Sequence, residues 1–154
     1  MNRFHFPRAL LVASAVLLGL GDAASARQDE RARCTVATLK GSFGYTVTGT
    51  LAAGPTPGPF AAVGLLTFDG AGNFQNIRTI SRNGSITSRA QGIGTYSVEP
   101  DCTGTLTFTD GGIVTLSTDL VVDADGDEFR MIATSPGTIL TVAGRRQFSS
   151  PGNR

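Results

Sequence analysis

"FQNIRTISRNGSITSRAQGI", Phe74 to Ile93, places Asn83-Gly84 between two short runs rich in Ile, Thr and Ser. Asn-Gly favours a two-residue type I′ turn, because both central positions need positive φ. The flanking runs have strand composition. The stretch therefore predicts a β-hairpin with strands over 74–82 and 85–98. A two-residue loop also sets the register: Arg82 faces Ser85, Ile80 faces Thr87 and Arg78 faces Arg89.

The same grammar extends along the chain in both directions. Turn clusters recur as "AAGPTPGP" (52–59), "DGAGN" (69–73), "EPDCT" (99–103), "TDGG" (109–112), "DADGDE" (123–128) and "SPGT" (135–138). With the hairpin tip they separate eight expected strands, at 41–51, 60–68, 74–82, 85–98, 103–109, 113–122, 128–134 and 138–148. Connections this short join antiparallel neighbours, since parallel pairing needs long crossovers. A meander of that length exposes two strand edges unless the sheet closes. An all-β, eight-stranded antiparallel up-and-down barrel removes both edges. A β-sandwich is the alternative.

The chain has 154 residues, the size of one domain. Its start reads as an export signal: Arg3 and Arg8, the apolar run Ala9 to Gly21, then Ala24-Ser25-Ala26 as a small-x-small cleavage pattern. The apolar run is shorter than the ~20 residues a membrane helix needs. The expected organisation is a cleaved signal at 1–26, an N-terminal tail at 27–33, one barrel at 34–148 and a C-terminal tail at 149–154. Localisation is then periplasmic or extracellular, with no membrane insertion of the mature chain. Cys34 and Cys102 are the chain's two cysteines, and in an exported protein they read as one disulfide.

The segments "LKGSFGYTVTG", "GLLTFDGAGN" and "GTYSVEPDCTGTLTF" together resemble a family of small, uncharacterised exported bacterial proteins. A spaced Gly-x-Tyr, a Thr-Phe-Asp-Gly-x-Gly-Asn turn and an Asp-Cys-Thr-Gly-Thr segment carry the resemblance, over about Cys34 to Gln147. It implies export and brings no activity with it. By topology the expected barrel also looks like the calycins, the lipocalin and avidin group. Fold does not fix function.

Composition narrows the chemistry. The lone histidine, His5, falls in the signal, so the remainder has no His and cannot build a Ser-His-Asp or Cys-His arrangement. Beyond residue 26, ten arginines and Lys40 face eleven acids. That balance does not point to nucleic acid. No catalytic residue and no cofactor are assigned, and an enzyme of cyclase or isomerase type is the weakest of the functional readings. Asp123, Asp125 and Asp127 alternate as in a calcium loop, but the Gly and Glu positions of the standard loop do not match.

The functional expectation is a small-molecule binding barrel for a partly apolar, possibly anionic ligand. A filled barrel that meets a partner through its loops is the alternative. Arg78 and Arg89, face to face, would clamp a carboxylate or phosphate if they point inward; arginine is seldom buried unpaired, which favours outward. Gln91 shares their expected face. Asp119 is expected nearly opposite Arg130, as a surface ion pair or a lumenal anchor. Tyr96, like Tyr45, sits in a Gly-x-aromatic repeat and is a further candidate.

Overall fold

The computed structural model describes residues 33–110 and 112–147. The expected signal at 1–26, the tail before Arg33 and the C-terminal tail at 149–154 lie outside the described residues. After a short 3₁₀ turn (η1, Val36–Leu39) come β1 Lys40–Leu51, β2 Gly58–Asp69, β3 Asn73–Arg82, β4 Ser85–Val98, β5 Thr103–Asp110, β6 Ile113–Val122, β7 Glu128–Ala133 and β8 Thr138–Arg146. Each strand pairs antiparallel with the next, and β8 returns to β1 through Phe43↔Arg146 to Leu51↔Thr138. The result is a closed eight-stranded up-and-down barrel, so no strand edge is left bare. Asn83 and Gly84 have φ of 46° and 83°, as a type I′ turn requires.

The two ends of the barrel are built differently. At the closed end, where β1 begins, the lumen is filled with rings. Phe68 meets Phe43, Phe129 and Tyr96 edge-on at centroid distances of 5.5, 5.9 and 4.8 Å. Leu39, Leu66, Leu106 and Leu120 fill the gaps between them. Gly144 lies opposite Phe129, and a Cβ there would sit 2.1 Å from the ring, so only glycine admits it.

η1 stoppers this end. The Tyr96 hydroxyl donates to the carbonyls of Val36 (3.0 Å) and Leu39 (3.1 Å) in a shared bond. The Cys34–Cys102 disulfide, with Cα atoms 5.0 Å apart, ties the segment before η1 to the β4–β5 turn. Arg146 completes the closure. Its guanidinium stacks 4.6 Å from the Phe43 ring and donates to the carbonyls of Lys40, Thr38 and Gly126 and to Asp127 Oδ1.

Two facing pairs differ from expectation. The β3–β4 ladder carries a bulge: Ile80 faces Thr87 as expected, but Arg78 faces Ala90. Thr79 is thus opposed by both Ser88 and Arg89, and Arg89 takes φ 54°. A bulge of one residue reverses which side chains face inward beyond it. Arg78 and Arg89 are therefore not partners. The second difference is at β6–β7, where Asp119 faces Ile132 and Arg130 faces Val121. The five-residue loop Asp123–Asp127 moves the pairing two residues from the expected one, and both side chains stay on the exposed outer wall.

Candidate functional site

The end of the barrel that carries the Asn83-Gly84 tip is open. There a cavity of about 170 Å³ enters the lumen, walled by aliphatic and aromatic side chains that include Leu51, Phe60, Ile80, Leu116 and Leu140. The inward face of β3 supplies its polar groups. Phe74, Asn76, Arg78, Ile80 and Arg82 alternate along that face, because successive strand residues point to opposite sides. Phe74 belongs to the closed core, Arg82 lies at the rim 5.8 Å from the Phe60 ring, and Arg78 lies between them.

Arg78, Asn76 and Tyr45 form a linked set. Arg78 Nη1 donates to Asn76 Oδ1 at 2.9 Å, and Asn76 Nδ2 donates to the Tyr45 hydroxyl at 3.1 Å. Asn76 and Tyr45 are buried, and Arg78 is half-buried with its guanidinium 5.5 Å from the Phe108 ring. No carboxylate among the described residues forms an ion pair with Arg78. Burial pushes the Tyr45 phenol above the ordinary tyrosine range, and the Arg78 charge and the Asn76 and Arg78 hydrogen bonds only partly offset this. The phenol therefore keeps its proton at neutral pH, and because its oxygen accepts from Asn76, that proton is available to donate.

Gly92 makes room for the set. A Cβ at this position would meet Asn76 Oδ1 at 2.6 Å and Arg78 Nη1 at 2.8 Å. The bulge at Arg89 is what brings Gly92 to this place, since the unbulged register puts Gln91 on that face. A second bulge sits across the mouth at Thr115, where the β5–β6 register shifts after Phe108. Bulges concentrate at barrel rims and beside binding sites.

Of the residues singled out from sequence, the structure brings Arg78 and Tyr45 to this cavity. Arg89 and Gln91 are exposed on the outer wall. Arg130 and Asp119 are also outside, and Arg130 meets Glu128 at 3.6 Å rather than Asp119. Tyr96 is at the closed end holding η1. Asp123 Oδ1 accepts from the Glu128 N–H at 2.8 Å, and Asp127 is taken by Arg146. Among the described residues no three His, Cys, Asp or Glu are grouped to hold a metal ion, so Asp123, Asp125 and Asp127 do not form a calcium cage.

The sequence does not mark Asn76, Arg82 or Gly92 as site residues. The signal that could have found them is Gly92 itself, because a strand glycine often marks a bulge or the close approach of another group. Three larger hollows, of about 510, 450 and 250 Å³, are depressions around Thr67, Gln75 and Ile93, around Thr46, Val63 and Ala143, and around Leu65, Ile77 and Gln91. The second touches the lumen set at Tyr45 and the third at Asn76, and none is lined by Arg78. No protein-family model, no curated protein and no solved structure matches the chain.

Proposed function

We propose that the chain is an exported binding protein whose open half-barrel takes a small amphiphilic anion, head first. The observation that carries this reading is Arg78: a half-buried cation without a carboxylate partner, at the inner end of an apolar cavity. A planar carboxylate would take two parallel bonds from the guanidinium, with the Tyr45 hydroxyl as a further donor. The apolar tail would lie along Ile80, Leu116 and Leu140 toward the mouth. At about 170 Å³ the cavity is smaller than the ~300–1,000 Å³ of drug-sized sites, so it suits a short-chain acid, or the head of a longer one whose tail emerges. The disulfide and the expected signal at 1–26 support a place outside the cytoplasm. The threonine-rich outer wall, with cross-strand pairs such as Ser42–Thr67 and Ser97–Thr105, supports a barrel that works in water.

Isothermal titration with hexanoate, hexanol and hexylamine tests the reading. Hexanoate should bind and the other two should not. Arg78→Met should weaken hexanoate binding by about 10–100-fold, the worth of a charge-assisted hydrogen bond of about 1.5–3 kcal/mol. Equal binding by Arg78→Met, or no binding of any of the three, would contradict it. The second outcome favours the filled-barrel reading, which the fully packed closed half supports.

A further inference from the structure

We propose that the open rim of the barrel is a docking surface for an anionic membrane, with the mouth turned toward the lipid headgroups. The first observation is where apolar side chains are exposed. Ile86, Ile113 and Ile139 are 61, 72 and 64% exposed. Each is the first or second residue of its strand, and β4, β6 and β8 all start at the open end. Alternate strands thus present one isoleucine each at the same end of the barrel, over half of its circumference. The exposed β1–β2 loop, with Pro55 and Pro57, continues this rim beside β8.

The other exposed large apolar residues are on the wall and stand singly among polar neighbours. Val63 is between Thr46 and Thr79, Ile93 between Gln75 and Thr109, Val121 between Thr103 and Arg130, and Ile132 between Asp119 and Thr141. The rim isoleucines also face polar residues, Ser81, Asp110 and Thr50, and what sets them apart is that they gather at one end, as the residues of a contact surface do.

The second observation is charge, which selects the occupant. Around the open half Arg82 at the rim and Arg89 on the adjoining outer wall face one acid, Asp110, among the described residues. Around the closed end seven acids, including Asp69, Glu99, Asp101 and Asp125, outnumber five cations. A chain of nearly balanced charge is therefore polarised along its axis, positive at the end that carries the isoleucines. Apolar side chains spread over a broad rim, with arginines beside them, match a flat anionic interface, where apolar groups enter the acyl boundary and guanidinium groups meet phosphates. The inference stands on the rim alone and holds whatever the cavity binds.

The test is co-sedimentation of the full chain with vesicles of phosphatidylcholine containing a quarter phosphatidylglycerol, and with pure phosphatidylcholine vesicles. Binding should require the anionic lipid and fall as salt is raised. The triple variant Ile86→Ser, Ile113→Ser, Ile139→Ser should lose about tenfold or more in affinity. Arg82→Gln with Arg89→Gln should do likewise, at about fivefold per arginine. Val121→Ser with Ile132→Ser, on the wall, should bind as the parent does. Thermal melting of each variant separates lost docking from lost folding. Binding that survives both rim variants would assign the affinity to the apolar run at 9–21 and overturn the proposal. Equal binding to both vesicles, or capture by an acidic protein with no vesicle binding, would overturn it as well.

Discussion

Two arginines, one at each end of the barrel, each stack on a phenylalanine and do opposite things. Arg146 at the closed end lies over Phe43 and spends its donors on three backbone carbonyls and Asp127. Arg78 at the open end lies near Phe108 and meets neutral acceptors, Asn76 and the Tyr45 hydroxyl. The first is satisfied by the fold, and the second is held ready by it. Donors already committed stabilise structure, while a desolvated cation lacking a counter-charge costs stability and gains it back when an anion arrives. The closed end is thus a stopper, and on the proposed reading the open end is a receptor.

The largest way to break this contrast is to open the stopper. Reducing Cys34–Cys102, or replacing both with Ser, should lower unfolding stability by about 4 kcal/mol from loop entropy, measured by denaturant melts. The mouth should keep its structure under conditions where the rest still folds.

Next comes the direct pair. Arg146→Met should cost about 2–4 kcal/mol, because it strands several carbonyls and Asp127. Arg78→Met should be neutral or stabilising by about 1 kcal/mol, because it removes an uncompensated charge from a partly apolar site. Equal losses at the two positions would erase the distinction.

A smaller effect lies in the bulge that separates Arg78 from Arg89. A non-glycine residue at positive φ costs ~1 kcal/mol. Arg89→Gly should therefore raise stability by about 0.5–1 kcal/mol in the same melts, with hexanoate affinity unchanged.

The smallest effect is on acid stability, and it belongs to the closed end. Asp69 is held below the usual carboxylate range, first by the Asn73 side chain and then by the Asn73 and Ala71 N–H groups. Asp101 is lowered by the Thr103 hydroxyl and N–H. Their unfolded forms bind protons more readily, so their contribution is present above the ordinary Asp value of about 4 and is lost as pH falls through the lower folded values. Thermal melts of Asp69→Asn with Asp101→Asn should show a flatter fall of Tm with acid than the parent.

Much of the fold is legible from turn chemistry. Gly, Pro, Asn and Asp clusters bound the strands to within a residue or two at nearly every end, and edge avoidance selects closure. The disulfide is legible because two cysteines in a chain whose start reads as an export signal have few other uses. η1 was not read, since "VATL" has no helical period and is held by Tyr96 and the core rather than by propensity.

The site was only half legible. Arg78 does line the lumen cavity, but its expected partner Arg89 does not face it. Nothing in "TSRA" announces that Arg89 will take a left-handed conformation, and that single residue decides whether Gln91 or Gly92 faces the lumen. Asn76 reads as a surface residue and is buried, while Tyr45 and Tyr96, alike in sequence context, serve opposite ends. The charge polarity was hidden too, because net charge sums over two ends that closure of the barrel separates.

The most direct test of the stopper-and-receptor account is a residue-resolved NMR titration of the disulfide-bonded protein with hexanoate. Shifts should concentrate at Tyr45, Asn76, Arg78, Ile80, Leu116 and Leu140, with Phe43, Phe129 and Tyr96 unmoved. Shifts centred on the closed end or spread over the outer wall, with Arg78 silent, would contradict it.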